Sequence, residues 1–186
     1  MKKTMMKNLK FNCQPMLLIT LFLLIFTAQG CNQAATQNKN VLTDQEKESA
    51  KKEISAKIDK IIQGGKNLDI ETAMQPYSNT ENFLIINPDA TVSDYQKMKS
   101  ENAEAFKKMS SLNFTTVNKE FRFLSESQVL LTWFGKSEVE LKSGEKIKYE
   151  SYIGTMLFSK ENGEWKIIYA HETASPPIQE SQNKQN

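Results

Sequence analysis

The chain has 186 residues, of which 39% are hydrophobic and 25% charged, the balance of one soluble globular domain with tails. The net charge of +2 comes from the first thirty residues, which contain four lysines and no acidic residue. The remainder holds 20 basic and 22 acidic residues, and Arg122 is the only arginine. Because phosphate binding needs clustered Lys and Arg, this composition argues against a nucleic-acid-binding protein.

Residues 1–30 are predicted to be a leader. Four lysines precede an apolar run of 11 residues, Met16–Phe26, and a membrane-spanning helix needs about 20. The order basic, apolar, small is typical of a secretory signal peptide. The segment Ala-Gln-Gly-Cys that ends at Cys31 resembles the lipobox of bacterial lipoproteins. In that family the cysteine is acylated and the leader is cut before it, whereas an ordinary signal peptide would leave Cys31 there by chance.

The cysteine count favours the lipoprotein interpretation. The second cysteine, Cys13, lies in the leader, so the mature chain would carry one thiol at its first residue and no disulfide. Several acyl chains on Cys31 would bind membrane lipid stably. We therefore expect an exported, membrane-anchored lipoprotein of the cell envelope, in which the polar residues 31–42 form a lipidated tether.

The first half of the body, residues 43–175, is predicted to be mainly helical. A capping box at Thr43–Glu46 precedes isoleucines at positions 54, 58, 61 and 62, which lie on one face of a helix that Gly64-Gly65 would end. A short helix over Leu68–Gln75 and a short strand over Phe83–Ile86 follow. A third helix, capped at Ser93, is expected to run to about residue 108.

From residue 114 the hydrophobic period changes from 3.6 to 2, which predicts four long antiparallel strands. They cover Phe114–Leu124, Gln128–Leu141, Glu145–Phe158 and Glu164–Thr173, and residues 176–186 are predicted to be a disordered tail. Strict alternation in the third strand places Tyr149 and Leu157 among the inward residues. The same alternation places Tyr152, Met156 and Phe158 outward. Helices followed by antiparallel strands give an α+β fold.

The order of these elements and the closing sequence resemble a known family. A strand, a turn containing Gly163, the motif Trp165-Lys166-Ile167 and then His171 are similar to the SnoaL-like branch of the nuclear-transport-factor-two-like (cystatin-like α+β) superfamily. The resemblance covers roughly residues 45–175 and implies a cone-shaped fold, with N-terminal helices on a curved antiparallel sheet. Related enzymes, such as ketosteroid isomerase, hold an acid–base group in the cone. Asn82 stands where relatives often have an acid.

Four side chains are predicted to bind a ligand in the cone. His171 is the only histidine, and an imidazole can act as a base or orient a ligand. If alternation is regular in the last strand, Trp165, Ile167, Tyr169 and His171 share the inward face, whereas a β-bulge would reverse this. With Tyr77 and Trp133, the predicted set is Tyr77, Trp133, Tyr169 and His171. Core packing of the aromatics and a structural role for His171 remain the alternatives.

Three functions are compatible with the sequence. The first is binding of a small apolar or aromatic ligand, or of a partner, without catalysis. The second is a cofactor-independent isomerase, dehydratase or cyclase with His171 as the base. The third is assembly as a homodimer through an outer sheet face carrying Phe134, Tyr152, Met156 and Phe158. We expect no cofactor and no metal site, because one histidine and no structural cysteine are available as ligands.

The lipoprotein hypothesis predicts the effect of Cys31→Ser. Without the thiol no acyl chain can be attached, so the variant should leave the membrane fraction, as measured by fractionation after an alkaline wash. A variant that still sediments with lipid would contradict the assignment.

Overall fold

The computed structural model describes residues 42–180. The predicted leader, Cys31 and its tether, and the last six residues of the tail lie outside these described residues. No helix within residues 42–180 is long and apolar enough to cross a bilayer.

Three helices and seven strands make up the described domain. The helices are α1 (Asp44–Asn67), α2 (Ile70–Met74) and α3 (Tyr95–Lys108). The strands are β1 (Leu84–Ile86), β2 (Val92–Ser93), β3 (Met109–Phe123), β4 (Gln128–Leu141), β5 (Lys146–Glu161), β6 (Glu164–Ala174) and β7 (Ile178–Glu180).

Helix α1 begins as the sequence predicts. The amide of Thr43 donates to Glu46 Oε2 at 2.7 Å, and the Glu46 amide donates back to Thr43 Oγ1 at 3.3 Å. The stripe also faces the core, since Ile54 is fully buried and Ile58 nearly so. Both features are local to the sequence, which is why pattern alone predicts them.

The predicted end of α1 at Gly64-Gly65 is wrong. The helix continues to Asn67, and Leu68 caps it in the left-handed conformation at φ 53°. The two glycines are buried inside the helix, and a Cβ on Gly64 would collide with the backbone of Ala73 in α2. Gly64 is therefore needed for the close approach of two helices, and not as a stop signal.

The next two helices are close to their predicted positions. Helix α2 is shorter than predicted, because Asp69 caps it by accepting from the Thr72 amide at 3.2 Å. Helix α3 is capped by Asp94 and not by Ser93, since Asp94 Oδ1 accepts from the Lys97 amide at 2.8 Å. Ser93 is buried in β2 instead.

One sheet in the order β2-β1-β6-β5-β4-β3 forms the other half of the domain. All pairs on this path are antiparallel except β1 with β6. Helix α1 packs against β3 and β6, so the core lies between the helices and one face of the sheet. The predicted α+β class, with N-terminal helices on a curved antiparallel sheet, is confirmed.

Irregular register decides which strand residues face the helices. In β5, Tyr149 pairs with Ser137 but Tyr152 pairs with Gly135, so two residues of β5 oppose one of β4. In β6, Ile167 pairs with Phe158 and Tyr169 with Leu157, which leaves Ile168 as an extra residue. Each extra residue reverses the inward and outward alternation beyond it.

From Tyr152 onward, the predicted faces of β5 are therefore wrong. Phe158 is fully buried and Met156 is 6% exposed, and both belong to the core cluster against which Tyr152 packs. Of the four residues proposed for an outer dimer surface, only Phe134 lies on the outer face, beside Ile153. Dimerisation through that face stays a prediction, but the three β5 residues do not form it.

The predicted disordered tail is also corrected in part. Residues Ile178–Glu180 form β7, whose Ile178 pairs with Lys148 of β5. This strand pairs with β5 but is not part of the main strand order. Sequence periodicity cannot detect so short a segment.

Candidate binding cavity

A cavity lies between α1 and the sheet, and we call it the cone cavity. Its volume is about 400 Å³, including solvent at its opening. Three isoleucines of α1 form one wall, and aromatic residues of the strands form the opposite wall. The lining residues are Ile58, Ile61, Ile62, Tyr77, Phe114, Trp133, Tyr152, Gly154, Met156 and Glu172.

A second cavity of about 600 Å³, again including solvent at its opening, adjoins the first beneath α2 and α3. The two share Ile61, Tyr77, Phe114, Tyr152 and Glu172 in their linings. Asn87 and Asn102 add amide groups to the second cavity. An elongated molecule could therefore extend from one space into the other, past the same carboxylate.

Glu172 supplies the only carboxylate among the residues that line either cavity. Its Oε2 accepts a hydrogen bond of 2.6 Å from the Tyr152 hydroxyl. Burial raises the pKa of the Glu172 carboxyl above its ordinary value, and the hydrogen bond from Tyr152 opposes this rise. The carboxyl can therefore donate or accept a proton nearer to neutrality than an exposed glutamate.

The extra residue Ile168 is the reason that Glu172 points into the cavity. Trp165 and Ile167 are buried, as predicted, but beyond Ile168 the inward positions are Ala170 and Glu172. Gly154 of β5 lies opposite Glu172 and has no side chain to fill the space. The Glu172 carboxylate therefore reaches the cavity over Gly154, where the neighbouring strand has no side chain.

The same bulge turns Tyr169 and His171 away from the cavity. His171 pairs with Thr155 and Ile86, it is exposed, and neither residue lines either cavity. The prediction that His171 points inward required the side chains of β6 to alternate regularly. The bulge at Ile168 breaks this alternation, so His171 points outward. Of the four residues predicted to bind a ligand, Tyr169 and His171 are therefore the two that do not line the described cavities.

Trp133 does line the cone cavity, in a position fixed by two neighbours. Its Nε1 donates to Thr116 Oγ1 at 2.9 Å. A Cβ on Gly135 would overlap the Trp133 ring, so the glycine allows the ring to lie along the strand. Phe114 and Tyr152 pack edge-to-face around this ring, with centroids 6.1 and 6.5 Å away.

Tyr77 also lines both cavities, although it lies in a connection and not in a long strand. The Ile167 amide donates to Pro76 O and the Ser78 amide donates to Ile167 O, each at 2.9 Å, which fixes this connection to β6. The ring packs edge-to-face on Phe83 at 5.7 Å. Burial and the nearby Glu172 raise the pKa of the Tyr77 hydroxyl, so it remains protonated.

Sequence reasoning placed Tyr77 and Trp133 in the ligand set and missed Glu172, Tyr152 and Phe114. The sequence did contain one signal. Neighbouring side chains of a strand point to opposite faces of the sheet, so Glu172 must face away from the side on which His171 lies. Without the register of β6, no pattern states which of the two sides is the inner one. No group of three His, Cys, Asp or Glu side chains within residues 42–180 could hold a metal ion.

Comparisons with known proteins agree with this architecture. A family model described as a SnoaL-like domain matches residues 54–179. A hexachlorocyclohexane dehydrochlorinase from Novosphingobium barchaimii superposes with a TM-score of 0.65 at 10% identity, covering 75% of this chain and 96% of that one. No curated protein sequence matches the chain.

Two further solved structures share the fold. A nuclear-transport-factor-two-like protein of unknown function from Pseudomonas putida gives a TM-score of 0.58 at 15% identity, over 75% of this chain and 93% of that one. A cystatin-like protein from Caulobacter vibrioides gives 0.59 at 14% identity, over 69% and 91%. These identities support the fold alone.

The raised pKa predicts a pH-dependent effect of Glu172→Gln. The folded chain holds the Glu172 proton more tightly than the unfolded chain, so ionisation costs stability as pH rises from the ordinary value through the raised one. The variant cannot ionise, and it should gain stability relative to the parent over that range, by about 1.4 kcal/mol for each unit of pKa shift. Urea unfolding of both proteins between about pH 4 and pH 8 measures this difference, and a constant difference would contradict the prediction.

Proposed function

The chain belongs to the SnoaL-like domain family, and within that family we propose that it binds a small, largely apolar molecule in the cone cavity. The observation that carries the proposal is one half-buried carboxylate, Glu172, held by Tyr152 in a cavity otherwise lined by aliphatic and aromatic side chains. Binding sites for small molecules commonly combine apolar walls with a few placed polar groups.

The arrangement of the cavity walls supports this proposal. The aromatic side chains Phe114, Trp133 and Tyr152 offer large apolar surfaces whose mutual contacts hold them in place. A ligand would therefore enter walls that are already arranged, which lowers the entropic cost of binding.

The lipid anchor remains part of this proposal. Acylation of Cys31 would hold the domain at a membrane surface, where apolar molecules are concentrated. A cone that accepts an apolar ligand is consistent with such a location, although the two parts are tested separately.

Filling the cone cavity should prevent binding. In Gly154→Val the new side chain would project into the cavity beside Glu172, whereas Thr155→Val changes the next residue on the opposite face. Titration with the neutral dye N-phenyl-1-naphthylamine, which fluoresces in apolar sites, should show affinity at least about tenfold weaker for Gly154→Val, a loss of about 1.4 kcal/mol.

Thr155→Val is the matched control and should bind the dye like the parent. Equal dye affinity in all three proteins would contradict binding in the cone cavity. Circular dichroism of each variant checks that the fold is retained.

A second candidate function is proton transfer, and the raised pKa of the Glu172 carboxyl favours it. A carboxylate in an apolar cavity is a stronger base than one in water. One structural neighbour is a dehydrochlorinase, a protein of the same fold with an elimination activity in its name. Glu172 replaces His171 as the base in this candidate.

The compound 5-nitrobenzisoxazole tests this activity, because removal of its carbon-bound proton opens the ring and releases a coloured phenolate. Turnover should increase as pH rises through the pKa of Glu172, since only the carboxylate accepts the proton. Glu172→Gln should reduce the rate by at least about 100-fold, the lower range for general-base catalysis. His171→Ala should leave the rate unchanged, and loss of turnover in that variant would contradict the assignment.

A further inference from the structure

The electrostatic character of the cone cavity restricts the ligand that it can hold. No lysine, arginine or histidine is among the residues that line either cavity in the described domain. Burial raises the pKa of the Tyr77 and Tyr152 hydroxyls, so both stay neutral. Ionised Glu172 is therefore the single charge among the residues that line the two described cavities.

Glu172 also has an unused acceptor. Tyr152 donates to Oε2, and within residues 42–180 no other hydrogen bond to this carboxyl is found. The second oxygen, Oε1, is on a side chain that lines both cavities. A ligand that donates a hydrogen bond would complete the partners of this carboxylate.

The aromatic walls add a second source of negative potential. Phe114 lies 5.8 Å from Tyr152 and 6.1 Å from Trp133 between ring centroids, and the interplanar angles are 72° and 81°. At these angles the edge of one ring points toward the face of the next. A cation within about 6 Å of a ring face is attracted by the quadrupole of the ring.

Three ligand classes can be compared on these grounds. An anion would be repelled by Glu172 and would meet no basic side chain. A neutral donor would gain one hydrogen bond to Oε1. An ammonium ion would gain a charge-assisted hydrogen bond together with the attraction of the rings.

The usual objection to a buried ion pair is the cost of removing both charges from water. Here folding has already removed much of the water from Glu172, which is half-buried without a ligand. Binding would remove the remaining water from Glu172 and desolvate the ligand, and the new cation would offset the unfavourable burial of the carboxylate.

We propose that the cone cavity selects an organic ammonium ion with an aromatic or aliphatic body, with the nitrogen at Glu172 and the body against Ile58, Ile61 and Met156. This proposal rests on the proposed binding function and specifies the chemical class of the ligand.

Three probes of similar shape test the selection in the full chain: 2-phenylethylammonium, 2-phenylethanol and phenylacetate. Isothermal titration at neutral pH should give the ammonium at least about tenfold tighter than the alcohol, and phenylacetate weakest. Glu172→Gln should remove the preference for the ammonium while changing the alcohol affinity by less than about threefold. Phe114→Leu keeps an apolar side chain but no ring, and it should weaken the ammonium by about three- to thirtyfold and the alcohol less.

Each outcome bears on the two proposals differently. Equal or tighter binding of the alcohol in the parent chain, or an unchanged preference in both variants, would overturn the ammonium selection and leave apolar binding intact. If no probe binds but N-phenyl-1-naphthylamine still enters the cavity, the selection is also wrong. If the dye too fails to bind, the proposed binding function fails with it.

Discussion

Strand β6 has one residue more than β5 between the pairs Phe158–Ile167 and Leu157–Tyr169, and the extra residue, Ile168, determines the chemistry of the cavity. Without it, the side of the strand that buries Trp165 and Ile167 would also carry His171. With it, the same side carries Glu172. A shift of one residue exchanges an imidazole for a carboxylate, because strand side chains alternate with a period of two.

The consequence is a carboxylate in a largely apolar space. Burial makes the ionised form costly, and the hydrogen bond from Tyr152 offsets part of this cost. Tyr152 is itself turned inward by the irregular pairing of β5 with β4. Two separate bulges therefore bring donor and acceptor together, consistent with the tendency of bulges to occur beside functional sites.

Small residues provide the space that this arrangement needs. Gly154 leaves the position opposite Glu172 bare, and Gly135 lets the Trp133 ring lie along the strand. Gly64 allows α2 to approach α1 closely, which places Tyr77, in the connection after α2, beside the cavity. Each glycine acts through the group beside it, which lies in another helix for Gly64, in another strand for Gly154, and two residues earlier in the same strand for Gly135.

The sequence by itself determined the α+β class, the capping box of α1, its buried isoleucine stripe and the approximate bounds of the long strands. These features depend on residues close together in the chain, where helix and strand periods act directly. It also placed Tyr77 and Trp133 among the candidate site residues. Only the tertiary structure decided that Glu172 faces the cavity and His171 does not, because strand register is set by pairing between distant segments and a bulge leaves no mark in the hydrophobic pattern.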